Sequence, residues 1–235
     1  MRPEISMYRL ANTNAAVKTR ILDKRRERVA NAGRDYDAIW LGDSITHFWE
    51  HPGKVEVFRE KFGRYRIFNA GFGGDRVENV LWNLRYGGVL DGVRTRLVTL
   101  MIGTNNIWYD SAEDIAAGIA LCVKEIRARQ PQAKILLHSL LPREVAHKRG
   151  GRDFRRKRPN VDEVMPKLKR VNELIRPLAD DEAVIFVDLF PAFLDAEGLP
   201  NIDLLPDGTH PGPEGLAVWA DSVLPMYRRI LGDVL

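Results

Sequence analysis

Apolar residues in this chain alternate between two patterns. Short, nearly continuous apolar runs occur at 38–41, 66–70, 97–102, 134–141 and 183–189, and most stop at a glycine or proline: Gly42, Gly71, Gly103 and Pro142. Runs of this length bounded by such residues predict buried strands that feed turns. Between them lie stretches with one apolar face at helical spacing. Val77, Val80, Leu81 and Leu84 predict a helix over 75–86, and Ile115, Ile119, Cys122, Val123 and Ile126 predict another over 111–129. Ser111, with Asp114 three residues on, resembles a capping arrangement at the start of the second. Further helices are predicted around 161–179 and 213–232. The arginine-rich stretch 15–31 carries a thin stripe of Val17, Ile21, Leu22 and Val29, and reads as a lead-in helix lying on the body of the domain. Cys122, on a buried helix face, is expected to pack rather than to react.

Strands that alternate with amphipathic helices imply a parallel sheet covered on both faces. The predicted fold class is α/β: a three-layer α/β/α sandwich with a mostly parallel sheet of about five strands. No internal repeat, linker or boundary interrupts the pattern, so residues 1–235 are read as one domain, with 1–31 as its lead-in. A length of 235 residues suits that reading.

Composition changes this picture little. The net charge of +4 is a mild excess, and nucleic acid is not expected as a partner. A single cysteine rules out an intramolecular disulfide. No apolar run approaches the roughly eighteen residues of a membrane span. The first ten residues lack the apolar core of a secretory signal, so the expected location is cytoplasmic, or secreted if a signal peptide has been removed.

In a parallel sheet, ligands bind where the strands end. Four segments then share one rim: Gly42-Asp43-Ser44, the turn from Gly71 to Asp75, Gly103-Thr104-Asn105-Asn106, and Pro142-Arg143. The late segment Asp207-Gly208-Thr209-His210 lies before the last helix and can reach the same rim. A serine hydroxyl needs a base to take its proton. A histidine held by a carboxylate is the usual base. Ser44 is therefore the candidate nucleophile, His210 the base and Asp207 its orienting acid. Donors for a developing oxyanion would be the N–H groups of Ser44 and Gly74 and the side-chain amide of Asn105.

Bland readings stand beside each of these. Gly-Asp-Ser often caps a helix, Asn105 and Asn106 can satisfy turn backbone, and Asp207 with His210 can be a surface ion pair. A dinucleotide loop at 71–76 is disfavoured, because Arg76 stands where its last glycine would be. His47 is a competing base, His138 a core or supporting residue, and Asp43 a turn-holding or substrate-contacting one. Trp108 either walls a pocket or packs. Arg143 either meets a substrate anion or pairs with an acid. The basic segment 147–158 is either a solvated loop or a contact for an anionic surface.

Four blocks in order carry a resemblance: Gly42 to Thr46, Asn69 to Asp75, Gly103 to Asn106, and Asp207 to His210 with Pro211. Across nearly its whole length the chain resembles the SGNH (GDSL) hydrolase family. The stretches Val80 to Leu84, Arg129 to Ile135 and Leu140 to Arg143 further resemble esterases like the catalytic subunits of intracellular platelet-activating-factor acetylhydrolase. That resemblance implies a flavodoxin-like fold, a metal-independent ester hydrolase without cofactor, and the same roles for Ser44, His210, Asp207, Gly74 and Asn105. It also suggests a homodimer. The expected reaction is hydrolysis of a short acyl ester, with acetyl implied by the resemblance and a carbohydrate as the alcohol. The alternatives are a phospholipid acetylhydrolase, a lysophospholipase or thioesterase, and, from another class, a binding protein that uses the basic segment.

Overall fold

The computed structural model describes residues 15–31, 33, 35–144 and 161–232, so the basic segment 147–158 lies outside the described residues. The five strands are β1 (Asp35–Gly42), β2 (Ile67–Gly71), β3 (Arg94–Met101), β4 (Lys134–His138) and β5 (Val184–Val187). They form one sheet in the order β2-β1-β3-β4-β5, and every pairing is parallel. This is the flavodoxin-like order. The central strands are buried on both faces, as their unbroken apolar runs require: residues 38–42 of β1 and 97–101 of β3 are all buried.

The helices are α1 (Ala15–Ala30), α2 (Ser44–His47), α3 (Val55–Phe62), α4 (Val77–Arg85), α5 (Ala112–Arg129), α6 (Val161–Ile175) and α7 (Pro213–Leu231). One face of the sheet is covered by α4, α5 and α6 side by side, and the other by α3 and α7, with α7 against β3. Ser111 caps α5, its hydroxyl accepting the Asp114 N–H at 3.0 Å. Cys122 is fully buried on that helix beside the Val77 carbonyl, and burial raises its thiol pKa. No helix among the described residues is long and apolar enough to cross a membrane.

Three local expectations change. The run at 134–141 yields a strand only as far as His138, because Ser139 and Leu140 leave the ladder to meet other segments. The Ser139 hydroxyl accepts the N–H groups of Leu189 and Phe190, and the Asn172 side chain brackets Leu140. The short helix α3 was not expected, its two turns being too few to display a convincing period. The lead-in helix does dock, but not through its whole stripe: Ile21 packs on the core while Leu22 and Val29 are 53% and 62% exposed. Polar contacts hold α1 instead. The Arg20 Nε donates to the Gly71 carbonyl at 2.8 Å, and Lys24 pairs with Glu50 at 2.8 Å.

The sheet order also sets where a crevice opens. The chain leaves β1 toward β2 on one side, then returns past β1 to lay down β3 on the other. The carboxyl ends of β1 and β3 therefore flank a topological switch point, the usual place for a binding crevice in such folds.

Candidate active site

Ser44 stands at that crevice, immediately after β1. A Cβ placed on Gly42 would lie 2.6 Å from the Met101 carbonyl and 2.1 Å from the Thr46 hydroxyl. Only glycine lets α2 fold back so closely on the strand ends. Asp43 closes the turn: its Oδ1 accepts the Ile45 N–H at 2.9 Å, and its carbonyl accepts the His47 N–H at 2.9 Å. Asp43 is 1% exposed, and burial pushes its carboxyl pKa up to about 6 against the opposing pull of the Ile45 N–H, His210 and Arg143. Asp43 was a candidate for substrate contact. Its carboxylate is enclosed, with Oδ1 held by the turn and Oδ2 3.5 Å from the Asn105 amide nitrogen.

His210 reaches Ser44 from a loop 166 residues away, with Nε2 at 2.8 Å from the Ser44 Oγ. Its Nδ1 lies 2.7 Å from Asp207 Oδ2. With Nδ1–H donating to the carboxylate, Nε2 is free to accept a hydrogen bond from the Ser44 hydroxyl. The other carboxylate oxygen, Oδ1, accepts the N–H groups of Thr209 at 2.9 Å and His210 at 2.7 Å. Partial burial raises the Asp207 pKa, but these donors and the imidazole outweigh it and hold the carboxyl at about 2. The loop is anchored to the exit of β4, where the Glu144 N–H donates to the Gly208 carbonyl at 2.8 Å. Phe48 lies against the imidazole, with ring centroids 4.7 Å apart.

The glycine turn follows β2. The Phe72 carbonyl accepts the Asp75 N–H at 3.0 Å, and Gly74, the third residue, has φ +73°, a conformation that glycine supplies without strain. The Asn105 amide lies between this turn and the first one, donating to the Asp75 carbonyl at 2.8 Å and standing 3.5 Å from Asp43 Oδ2. The three segments expected to supply oxyanion donors thus converge. Asn69 fastens two of them together: its amide donates to the Thr46 carbonyl at 2.8 Å, and its Oδ1 accepts the Gly71 N–H at 3.0 Å. Arg20 adds contacts to the Asn69 carbonyl and Oδ1, so the lead-in helix supports the same corner. Neither role is visible in a local pattern, although Asn69 belongs to the glycine block.

The remaining candidates divide. Arg143 sits beside the site, with Nη1 donating to the Thr104 carbonyl at 3.0 Å and its guanidinium 5.6 Å from the Trp108 ring centre. Burial lowers its pKa while Asp43 and Asp207 oppose that shift, which places it within electrostatic reach of both acids. Asn106 takes the backbone-satisfying role, accepting the Val77 N–H and donating to Glu78 and Asp110. His47 faces His51, with ring centroids 4.8 Å apart, and burial together with Arg20, His51 and Lys24 lowers its pKa to about 3. His138, the last residue of β4, is buried edge-on to Trp219 at 5.4 Å. Among the described residues, no three His, Cys, Asp or Glu side chains are grouped to hold a metal ion.

Similar proteins are known. Residues 40–218 match the GDSL-like lipase/acylhydrolase family. The alpha1 subunit of platelet-activating factor acetylhydrolase IB from Pongo abelii is 32% identical over 201 residues, covering 85% of this chain and 79% of that protein. Among solved structures, a GDSL-like lipase from Bacteroides thetaiotaomicron superposes with TM-score 0.69 at 19% identity, covering 89% of this chain and 97% of that one. A catalytic mutant of an acetylxylan esterase from Geobacillus stearothermophilus gives TM-score 0.58 at 18% identity, covering 84% and 94%. At such identities the structural matches speak to the fold, and the family is carried by the sequence match over most of the chain. The chain belongs to the GDSL-like lipase/acylhydrolase family and is an SGNH-type ester hydrolase.

Proposed function

We propose that the chain removes a short acyl group, acetyl, from a carbohydrate ester, with Ser44 as nucleophile, His210 as general base and acid, and Asp207 as the group that orients it. The observation that carries this reading is the continuous run of hydrogen bonds from Asp207 Oδ2 through His210 to Ser44 Oγ, with links of 2.7 and 2.8 Å. Ser44 Oγ attacks the ester carbonyl as its proton passes to Nε2. Asp207 steadies the imidazolium that forms. The oxyanion is received by the Ser44 and Gly74 N–H groups and the Asn105 amide, which exchanges its hold on the Asp75 carbonyl for the charged oxygen. The alcohol leaves with the proton from Nε2, and water then releases the acyl group by the same steps reversed.

Acetyl is supported by the names of the relatives, an acetylhydrolase and an acetylxylan esterase. The second of these supports a carbohydrate alcohol. The first favours a second reading, hydrolysis of a short-chain phospholipid ester. Turnover of p-nitrophenyl acetate by the wild type and by Ser44→Ala tests the mechanism. The expected loss is about a millionfold in kcat. Equal rates in the two proteins would end the serine-nucleophile reading.

A further inference from the structure

The turn that carries Asn105 continues into two consecutive aromatic residues at the rim. Trp108 is 37% exposed and Tyr109 is 73% exposed. A scattered exposed aromatic needs no explanation. This pair differs because both rings are held in place. The Arg143 guanidinium lies 5.6 Å from the Trp108 ring centre, and that of Arg76 lies 5.1 Å from the Tyr109 ring centre. Each arginine is itself tied down, Arg143 to the Thr104 carbonyl at 3.0 Å and Arg76 to Glu78 at 2.8 Å. The backbone between is fixed as well. The Asn106 carbonyl accepts the N–H groups of Tyr109 at 2.8 Å and Asp110 at 3.0 Å, and Lys167 donates to the Ile107 carbonyl at 2.7 Å.

The pair is also near the reacting centre. Asn105 lies beside Asp43, the residue before Ser44. Three residues of chain reach no further than roughly 11 Å, so Trp108 is within about the length of a disaccharide of Asn105.

We propose that Trp108 and Tyr109 form the alcohol-side subsite, a preordered stacking platform for the pyranose rings of an acetylated oligosaccharide. This deepens the carbohydrate-ester reading and rests on it. Aromatic faces carry negative quadrupole density, which attracts the polarised C–H bonds of an uncharged sugar ring. The guanidinium edges beside the rings suit sugar hydroxyls as acceptors. A quaternary ammonium headgroup also seeks aromatic faces. Here each ring already has a guanidinium against it, so a choline would have to share that ring with a cation already in place. Because the rings are held before binding, little ordering entropy remains to be lost when a sugar arrives.

The test is a ratio of kcat/KM values, acetylated xylo-oligosaccharide over ethyl acetate, whose alcohol is too short to stack. Tyr109→Ala and Trp108→Ala should each lower the ratio by about tenfold, equivalent to about 1.4 kcal/mol. Tyr109→Phe, which keeps the ring, should hold it near the wild-type value. Tyr109 is mostly exposed, so its variants will fold. An unchanged ratio in Tyr109→Ala overturns the proposal. So does a wild type that cleaves ethyl acetate but prefers a short-chain acetyl glycerophosphocholine to the oligosaccharide. Neither result touches the role of Ser44, which fails separately if Ser44→Ala hydrolyses ethyl acetate as fast as the wild type.

Discussion

His210 and His138 place the same imidazole in opposite surroundings. His210 has a carboxylate on one nitrogen, a serine hydroxyl on the other, and a phenylalanine ring against its face. His138 ends β4 beside a small aromatic cavity lined by Trp40, Trp49, Phe62, Trp219 and Tyr227. It is 3% exposed, and neither ring nitrogen has a hydrogen-bond partner among the described residues. Burial alone holds its pKa down to about 3. A histidine can cycle a proton only where both charge states are supported. No hydrogen-bond partner among the described residues stands ready for a charged His138, whereas each ring nitrogen of His210 has one.

The sharpest way to break this contrast is to remove the carboxylate from the loop. Asp207→Asn should keep the fold and lower kcat on p-nitrophenyl acetate by about 10⁴-fold, because the imidazole then loses its orientation and tautomer. A loss under tenfold would mean that Asp207 is only an ion-pair partner on the surface.

The next effect is on stability and belongs to His138. Its folded pKa of about 3 lies below the ordinary 6.5, so the unfolded chain binds the proton more readily. Stability is therefore complete above pH 6.5 and is lost as pH falls from there toward 3. By linkage, this one group removes roughly 2–3 kcal/mol between pH 6.5 and 4.5. Urea unfolding of the wild type and of His138→Leu at both values checks this, the variant showing the shallower decline. Parallel declines would mean that His138 is solvated in the folded protein.

The smallest effect comes from the ring on His210. Phe48→Ala removes an aromatic contact worth about 0.5–1.5 kcal/mol, so kcat/KM should fall about two- to tenfold. Steady-state kinetics on p-nitrophenyl acetate resolve a change of that size. If kcat/KM is unmoved, Asp207 alone orients the imidazole.

Much of the site was legible because its residue types are confined to short blocks. Gly42 to Ser44, Gly103 to Asn106 and Asp207 to His210 each state a local geometry. The parallel sheet was equally legible, because strands covered on both faces must be apolar throughout. Other features left no such trace. The helix α3 is two turns long, and half the apolar stripe of α1 faces outward while Arg20 and Lys24 do the docking. Phe48 under His210, and Arg76 and Arg143 against the exposed aromatics, join residues whose proximity no periodicity encodes.

The amino-acid sequence by itself determined the layers of the fold and which serine, histidine and aspartate to consider, because spacing along the chain sets which residues share a strand end or a turn. The sequence favours His210 as the base, but it is the tertiary structure that brings His210, rather than His47 or His138, into contact with Ser44. That choice depends on the order β2-β1-β3-β4-β5 and on a loop that returns across 166 residues to the switch point. Contacts of that range are fixed by how whole elements pack, and so no local pattern can state them.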